Sequence, residues 1–370
     1  MSCVCGNKAR FRCVLDKCVL TTVGEMVVPR RYYACDCGCK QIPLDVWAGL
    51  SSRMVSPHSR RVISLAGSTW AFDEASEKLL ELCRMRISDD TIERVCQEEG
   101  QRGGMWMKSA ESPAQMMAQA SGEMEFSSDG VKINTTEGWA EMRLNVLCKR
   151  ESGRGVEPSQ WNDRVLPEPS ARLAWCVIAP CRLVGASWTR MFKHAGGNKQ
   201  TKLSVIADGA KWIWDQAQRR LPGANTEWVV DIYHVSQHLH DCGKALLGEG
   251  EKARQWAEQR RMELIEQGGP RFIESLRQAR KAARSRAGKK ALEQLERYLR
   301  DNQDSLWYRK RLAEGRPIGS GLIEGGCKTI VGQRLKRNSA RWRPRRAENI
   351  AALRCLDYSN CWDSYWNSRN

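Results

Sequence analysis

A chain of 370 residues with 28% charged and 7% aromatic residues reads as globular, with material for two or three domains. Its net charge of +17 is spread along the chain and points to a polyanionic partner, nucleic acid ahead of a membrane surface. No apolar run is long enough for a membrane-spanning helix, and the first residues lack a signal peptide's apolar core, so a cytoplasmic chain is expected.

Sixteen cysteines in a reducing compartment are expected as thiols or metal ligands rather than disulfides. Seven fall in the first forty residues: Cys3, Cys5, Cys13, Cys18, Cys35, Cys37 and Cys39. Two similar knuckles, Cys3-Val4-Cys5-Gly6 and Cys35-Asp36-Cys37-Gly38, set thiols beside a glycine that lets the chain turn. Four thiolates suit a structural Zn²⁺, with Cys3, Cys5, Cys35 and Cys37 the first choice of ligands. Cys39 is an alternative, because zinc ribbons use C-x₂-C and the spacing here is C-x-C. Leu20–Val28 and Arg31–Ala34 are expected to form a short hairpin. Residues 1–43 thus read as a zinc-ribbon-like module, too small to stand on an apolar core.

Residues 44–120 read as helical. Ser59–Gly67 and Asp73–Cys83 carry apolar stripes. Asp89–Glu99 has an acidic first turn and buries Ile92, Val95 and Cys96. The last two helices, joined at Met85–Ser88, fit a helix-turn-helix in which Thr91, Arg94 and Arg84 or Arg86 approach DNA. Gln101–Gln119, with Gly103, Gly104 and Pro113, reads as a connector.

Residues 121–247 alternate strand and helix. Glu123–Asn134 reads as a strand interrupted at Asp129-Gly130, and Trp139–Lys149 as its antiparallel neighbour. Leu173–Leu183 is the third strand and Trp188–His194 a helix. Leu203–Ala207 is a buried strand ending at Asp208-Gly209. Helix Ala210–Arg219 follows, then strand Glu227–Asp231 and a helix through Leu247. Three antiparallel strands and then strand–helix–strand–helix is the order of an RNase H-like α/β fold. Asp129 and Asp208 sit where apolar strands meet glycine, at the sheet's working edge, and Asp231 is placed similarly. Asp-Gly pairs are also common turn signals, and Asp231 could simply cap its helix. His234 and His238 share a helical face, the spacing of a metal pair, although such histidines are more often polar surface.

Residues 248–314 read as helical and charged. Ala253–Ile265, Arg271–Ala287 and Lys289–Asn302 are divided by Gly268-Gly269-Pro270 and by Gly288. Within residues 315–358, Gly319-Ser320-Gly321 opens a helix with Glu324 near its start and Ile323, Ile330, Val331 and Leu335 on one face. A carboxylate there also suits the helix dipole. With Asp129 and Asp208 it could hold two divalent ions, Mg²⁺ or Mn²⁺, on oxygen ligands. Arg334–Arg346 follows as a basic arm. Arg334, Lys336, Arg337, Arg341, Arg343, Arg345 and Arg346 surround Trp342, and the arm is expected to track a DNA backbone. Residues 359–370 read as a polar tail.

Ser128-Asp129-Gly130-Val131, Gly138-Trp139-Ala140-Glu141, Val205–Ile213, Asp231-Ile232-Tyr233-His234 and Gly319–Glu324 with Cys327-Lys328, in this order, resemble the DDE transposases of prokaryotic insertion sequences. The group most resembled is the Kra-type elements, related to Mutator-like transposases. The resemblance implies Asp129, Asp208 and Glu324 as a metal-binding triad, Asp231 with His234 as a supporting D-x-x-H signature, and residues 248–314 as an all-α insertion. It implies cleavage at element ends and joining of a 3′-hydroxyl to target DNA, on double-stranded DNA, by at least a homodimer associated with the nucleoid. A DNA-binding regulator without catalysis is the other reading.

Overall fold

The computed structural model describes residues 1–50, 54–221 and 225–369. The chain divides into two compact units, one of Met1–Trp106 with Gln333–Asn370 and one of Met107–Gly332. The first begins with a long antiparallel hairpin, β1 (Arg10–Thr21) and β2 (Gly24–Ala34), whose end pairs with β3 (Lys40–Gln41). The expected hairpin was shorter and turned too late. The chain reverses between Thr21 and Gly24, where Gly24 takes a φ of 114°. Pro29 falls in the gap between the two expected strands. It sits within β2 opposite Asp16, where β3, paired only to Tyr33 and Ala34, leaves the other edge open.

The short α1 (Pro43–Trp47) carries Asp45, which pairs with Arg30 at 2.6 Å and anchors β2. Next come α2 (Pro57–Thr69), α3 (Phe72–Cys83) and α4 (Asp89–Trp106), which pack on one another. Ser56 caps α2 by accepting from the Ser59 N–H. Arg84, at a φ of 52°, ends α3 in the left-handed conformation. Ile92, Val95 and Cys96 are buried on α4.

The second unit opens with α5 (Glu111–Gln119) and a five-stranded mixed sheet in the order β6-β5-β4-β7-β8. The strands are β4 (Glu123–Thr135), β5 (Gly138–Arg150), β6 (Ala171–Val177), β7 (Lys202–Ala207) and β8 (Asn225–Val230). The first three run antiparallel, and β7 and β8 run parallel to β4. Two boundaries differ from expectation. β4 is continuous through Asp129 and Gly130, which face Leu144 and Arg143 on β5. β6 stops at Val177, because Pro180 starts α6 (Cys181–His194), which takes in Leu183. α7 (Lys211–Arg220) links β7 to β8, and α8 (Ile232–Leu247) follows β8. Phe126, Trp175 and Trp188 fill the core beside buried Asn145, whose Oδ1 accepts from Trp188 Nε1 at 2.7 Å.

Three helices follow: α9 (Glu251–Gln267), α10 (Gly269–Ala282) and α11 (Arg286–Asp301). The break before α11 falls at Ala283–Ser285, not at Gly288. Ser285 caps α11 by accepting from the Gly288 N–H at 3.0 Å, and Gly288 is buried where a Cβ would meet Leu246. Leu292, Leu295 and Leu299 of α11 join Val235 and Leu239 of α8 in one core. After α12 (Tyr308–Ala313) the chain returns through α13 (Gly321–Gly326) to a π-helical turn over Cys327–Gly332.

From Gln333 onward the residues belong to the first unit, although the sequence groups 315–358 as one segment. α14 (Gln333–Leu335) and α15 (Pro344–Tyr358) lead to α16 (Trp362–Asn367). α15 lies against α4 so closely that a Cβ on Gly100 would stand 2.1 Å from the Asn349 carbonyl oxygen, and one on Gly103 2.5 Å from Leu356. The stretch read as a connector, Gln101–Gln119, is instead the end of α4 and the whole of α5, with Gly103 at the close approach. The tail, read as polar, is α16 with Trp362, Tyr365 and Trp366 buried. Tyr365 donates to Glu99 Oε2 at 2.7 Å, and Arg60 and Arg369 also bond this fully buried carboxylate.

Candidate functional site

Two clusters carry chemistry. The first is made by the knuckles. Each turns the same way: the Gly6 N–H donates to Cys3 O at 3.0 Å and the Gly38 N–H to Cys35 O at 2.9 Å, with both glycines at a φ of 86°. The turns bring Cys3 Sγ to 3.5 Å from Cys37 Sγ and Cys5 Sγ to 3.6 Å from Cys35 Sγ. All four sulfurs lie within 4.8 Å of one another. A tetrahedral Zn²⁺ with bonds of about 2.3 Å needs sulfurs about 3.8 Å apart, so the donor set fits. Cys39 packs against the cluster without joining the set. The Cys5 backbone N–H is the largest influence holding Cys3 down, to about 6. At Cys37 the Cys39 N–H pulls the same way and is outweighed by the Cys5, Cys39 and Cys35 thiols, which push it up. Sulfurs this close resist losing all their protons together, and a bound cation relieves that conflict.

The second cluster lies at the ends of the parallel strands. Pairing of β4 with β7 runs through Phe126↔Val205, and pairing of β7 with β8 through Ala207↔Val230. The β4–β7 pairing stops three residues short of Asp129, while the Asp231 N–H donates to Ala207 O at 2.7 Å and keeps Asp231 beside the Asp208 turn. The Asp208 charge is felt at Asp129, so the three carboxylates gather at one end of the sheet. Each is held differently. Asp129 accepts from the Gly130 N–H at 2.6 Å and from the Cys327 thiol at 3.7 Å. Burial pushes its carboxyl up, the Gly130 N–H opposes that, the Asp208 charge adds to it, and His234 on α8 opposes it too. Asp208 accepts from the Ala210 N–H at 2.8 Å. Its own carbonyl accepts from Tyr298 on α11 at 2.8 Å, and Asn302 packs over Gly209, whose φ is 85°. Tyr298 also stacks on His238, at 4.2 Å between ring centroids. The helical insertion therefore braces the Asp208 turn, a contact spanning some ninety residues that no local pattern reveals.

Asp231 is completely buried and caps α8 by accepting from the Tyr233 N–H at 2.8 Å. Its other oxygen accepts from the Ser320 hydroxyl. Ser320 precedes the next helix, yet its side chain makes no cap bond there. Glu324 lies on α13, which packs against β4 and β5, and is half-exposed beside Lys328 at 3.9 Å. Burial pushes the Cys327 thiol well up, and the charges of Asp129 and Glu324 add to that. Ile323, Ile330, Val331 and Leu335 are all buried, as their spacing predicts. A groove of about 280 Å³ opens beside the Gly319–Leu322 turn, with Glu125, Ser127 and Arg150 among its lining.

Among the described residues, the four cysteines form the one group of three or more His, Cys, Asp or Glu whose ligand atoms all lie within 4.8 Å of one another. Asp129, Asp208 and Glu324 occupy one neighbourhood but are not drawn together that tightly.

The basic arm is less open than its charge suggests. Arg334 is buried, donates to Gly67 O at 3.0 Å, and sits between the Phe72 and Trp342 rings at 4.7 and 4.9 Å. Trp342 is buried as well and donates to Leu335 O at 3.0 Å. These two residues, expected against DNA, are internal: the cation–π sandwich rewards burying both at once. Arg337 pairs with Glu74 at 3.2 Å and Arg346 with Glu93 at 2.5 Å. Lys336, Arg341, Arg343 and Arg345 are exposed. No described helix is long and apolar enough to cross a membrane. No family model matches the chain, and a comparison with curated proteins finds no match.

Proposed function

We propose that the chain is a metal-dependent DNA-cleaving and strand-joining enzyme of the DDE transposase kind, with an RNase H-like core, a zinc-bound N-terminal module and a helix-turn-helix in α3 and α4. The observation that carries this reading is the gathering of Asp129, Asp208 and Asp231 at one end of the sheet, with Glu324 on α13, which packs against β4 and β5. The strand order, three antiparallel strands followed by two parallel ones, supports it.

Asp129, Asp208 and Glu324 would hold Mg²⁺ or Mn²⁺, hard cations suited to carboxylate oxygens. Burial first, and the Asp208 charge after it, raise the Asp129 carboxyl, and a divalent cation would offset both. Bound there, such ions make an attacking water or 3′-hydroxyl more nucleophilic and neutralise the leaving oxygen. The chain's own part is to hold the carboxylates: the Gly130 N–H and Cys327 orient Asp129, and Tyr298 and Asn302 brace the Asp208 turn. His234 puts positive charge, when protonated, near Asp129 and Asp231. Lys336, Arg341, Arg343 and Arg345 supply exposed charge for phosphates, and Arg337 and Arg346 add to it. Acting on two element ends at once requires at least a homodimer.

The looser spacing of the triad favours a second reading, a DNA-binding regulator without catalysis. One experiment separates them. The protein is incubated with Mg²⁺ or Mn²⁺ and end-labelled duplexes carrying the DNA that flanks its own coding sequence, alongside Glu324→Gln. Cleavage by the wild type and none by the variant is expected. Binding without cleavage would establish the regulator, and cleavage surviving in the variant would remove Glu324 from the site.

A further inference from the structure

We propose that Asp231 is a positioning residue that acts through Ser320 to fix the start of the helix bearing Glu324. The inference rests on the functional reading above, but the contact on which it depends does not. Both carboxylate oxygens of Asp231 are engaged by protein donors, one by the Tyr233 N–H and the other by the Ser320 hydroxyl. Asp231 is fully buried and Ser320 is 5% exposed, so water competes for neither. The Ile232 N–H donates to Ile318 O at 3.0 Å, closing a second tie beside the first. Gly319 lies between them, where a Cβ would stand 2.7 Å from the Tyr233 ring and 3.2 Å from Asp231 Oδ1. The carbonyl of Ser320 accepts from the N–H groups of Ile323 and Glu324 at 2.9 and 3.1 Å. Asp231, Ser320 and the Glu324 backbone therefore form one chain of hydrogen bonds.

The arrangement solves a problem set by topology. The chain leaves the sheet at α8, passes through α9, α10, α11 and α12, and must bring Glu324 back to the strand ends. Asp231 stands at the strand end where the excursion begins, and it captures Ser320 where the excursion ends. A carboxylate already occupied in this way is poorly placed to ligate an ion as well. Its place beside the Asp208 turn therefore serves to anchor α13 rather than to extend the ligand set.

The test uses the full chain with Asp231→Ala, Asp231→Asn, Ser320→Ala and the Asp231→Ala/Ser320→Ala double variant. Amide exchange at residues 321–324 is read first, because it needs no activity. Losing a buried hydrogen bond to a charged group should speed exchange there about 10- to 100-fold in either alanine single variant, with no further gain in the double variant. Asp231→Asn should stay close to wild type, since its carbonyl accepts from Tyr233 and its NH₂ reaches the Ser320 oxygen. Cleavage rates should follow the same order, with the half-saturating Mg²⁺ concentration unchanged throughout. Unchanged exchange in Ser320→Ala would overturn the proposal. So would an Asp231→Asn variant as impaired as Asp231→Ala that requires more Mg²⁺, the signature of a lost ligand. If Asp231→Ala fails to fold, Ser320→Ala decides alone. If the wild type cleaves nothing, the exchange data still judge the latch, and only the catalytic reading falls.

Discussion

Removing metal from the cysteine module should loosen one end of the β1–β2 hairpin and leave the other intact. At the knuckle end the buried apolar residues are Cys3, Ala9 and Cys35, with Tyr33 and Cys39 packed partly against them. Fully burying even a Val or Leu contributes only about 1.5–3 kcal/mol, and these side chains are smaller or only half covered. Zinc held at a thousandfold its dissociation constant and binding only the folded knuckles contributes about 4.1 kcal/mol, more than that local core supplies. The other end is fastened independently. The Leu20 N–H donates to Met54 O at 2.7 Å, the Ser56 N–H to Leu20 O at 3.0 Å, and Arg30 pairs with the buried Asp45. Hydrogen exchange by mass spectrometry, with and without a strong chelator, reads the two ends separately. Protection at residues 3–9 and 35–41 should fall to that of an open chain, while residues 17–30 change little. Cys5→Ser should reproduce the chelator effect, and the wild type should carry one zinc per chain. A metal-free protein with the same protection at the knuckles would refute the reasoning.

Other outcomes follow from buried charge and packing. Glu99→Gln should cost about 3 kcal/mol at pH 7, because it leaves buried Arg60 with only the partly exposed Glu98 as counter-charge. Burial alone would raise the Glu99 carboxyl, but Arg60, Tyr365 and Arg369 hold it below its ordinary value. Its stabilisation is therefore full above the usual carboxylate pKa and disappears as pH falls through the lowered one. Thermal melts of the two proteins should accordingly converge in acid and differ most near neutrality. Trp342→Ala should destabilise the first unit by about 3–5 kcal/mol, measured by denaturant unfolding. Arg343→Ala with Arg345→Ala should leave melting unchanged and weaken DNA binding, with the salt dependence of the affinity becoming shallower by about one to two charges.

Much of the acidic edge was legible in the sequence because apolar runs ending in Asp fix where buried strands stop. Leu203–Ala207 and the segment before Asp231 are strands for that reason, and their parallel pairing lets Asp208 and Asp231 leave the sheet at the same end. The knuckles were legible because glycine beside thiol pairs is a local signal. Contacts between distant residues were not. Tyr298 bracing Asp208 and Ser320 bonding Asp231 are separated by 90 and 89 positions, and nothing near either residue announces the partner. Glycine and charge misled in opposite ways. Gly103 was read as part of a connector but permits close packing of two helices, as Gly100 does one turn earlier. Arg334 and Trp342 looked like a surface clamp, and their stacking geometry buries them. The aromatic spacing of Trp362, Tyr365 and Trp366 was a usable helical signal that the tail's polar composition hid.

The central claim is that carboxylates at the strand ends perform metal-dependent chemistry on DNA. Single-turnover strand cleavage of a flanking-sequence duplex, by wild type and by Asp208→Asn across a Mg²⁺ and a Mn²⁺ titration, tests it most directly. The account predicts cleavage that requires the metal in the wild type, and a fall of a thousandfold or more in the variant (on the order of the 10³-fold losses seen when charge-stabilising groups are removed), with DNA binding retained. Cleavage independent of added metal, or an Asp208→Asn variant as fast as the wild type, would contradict it.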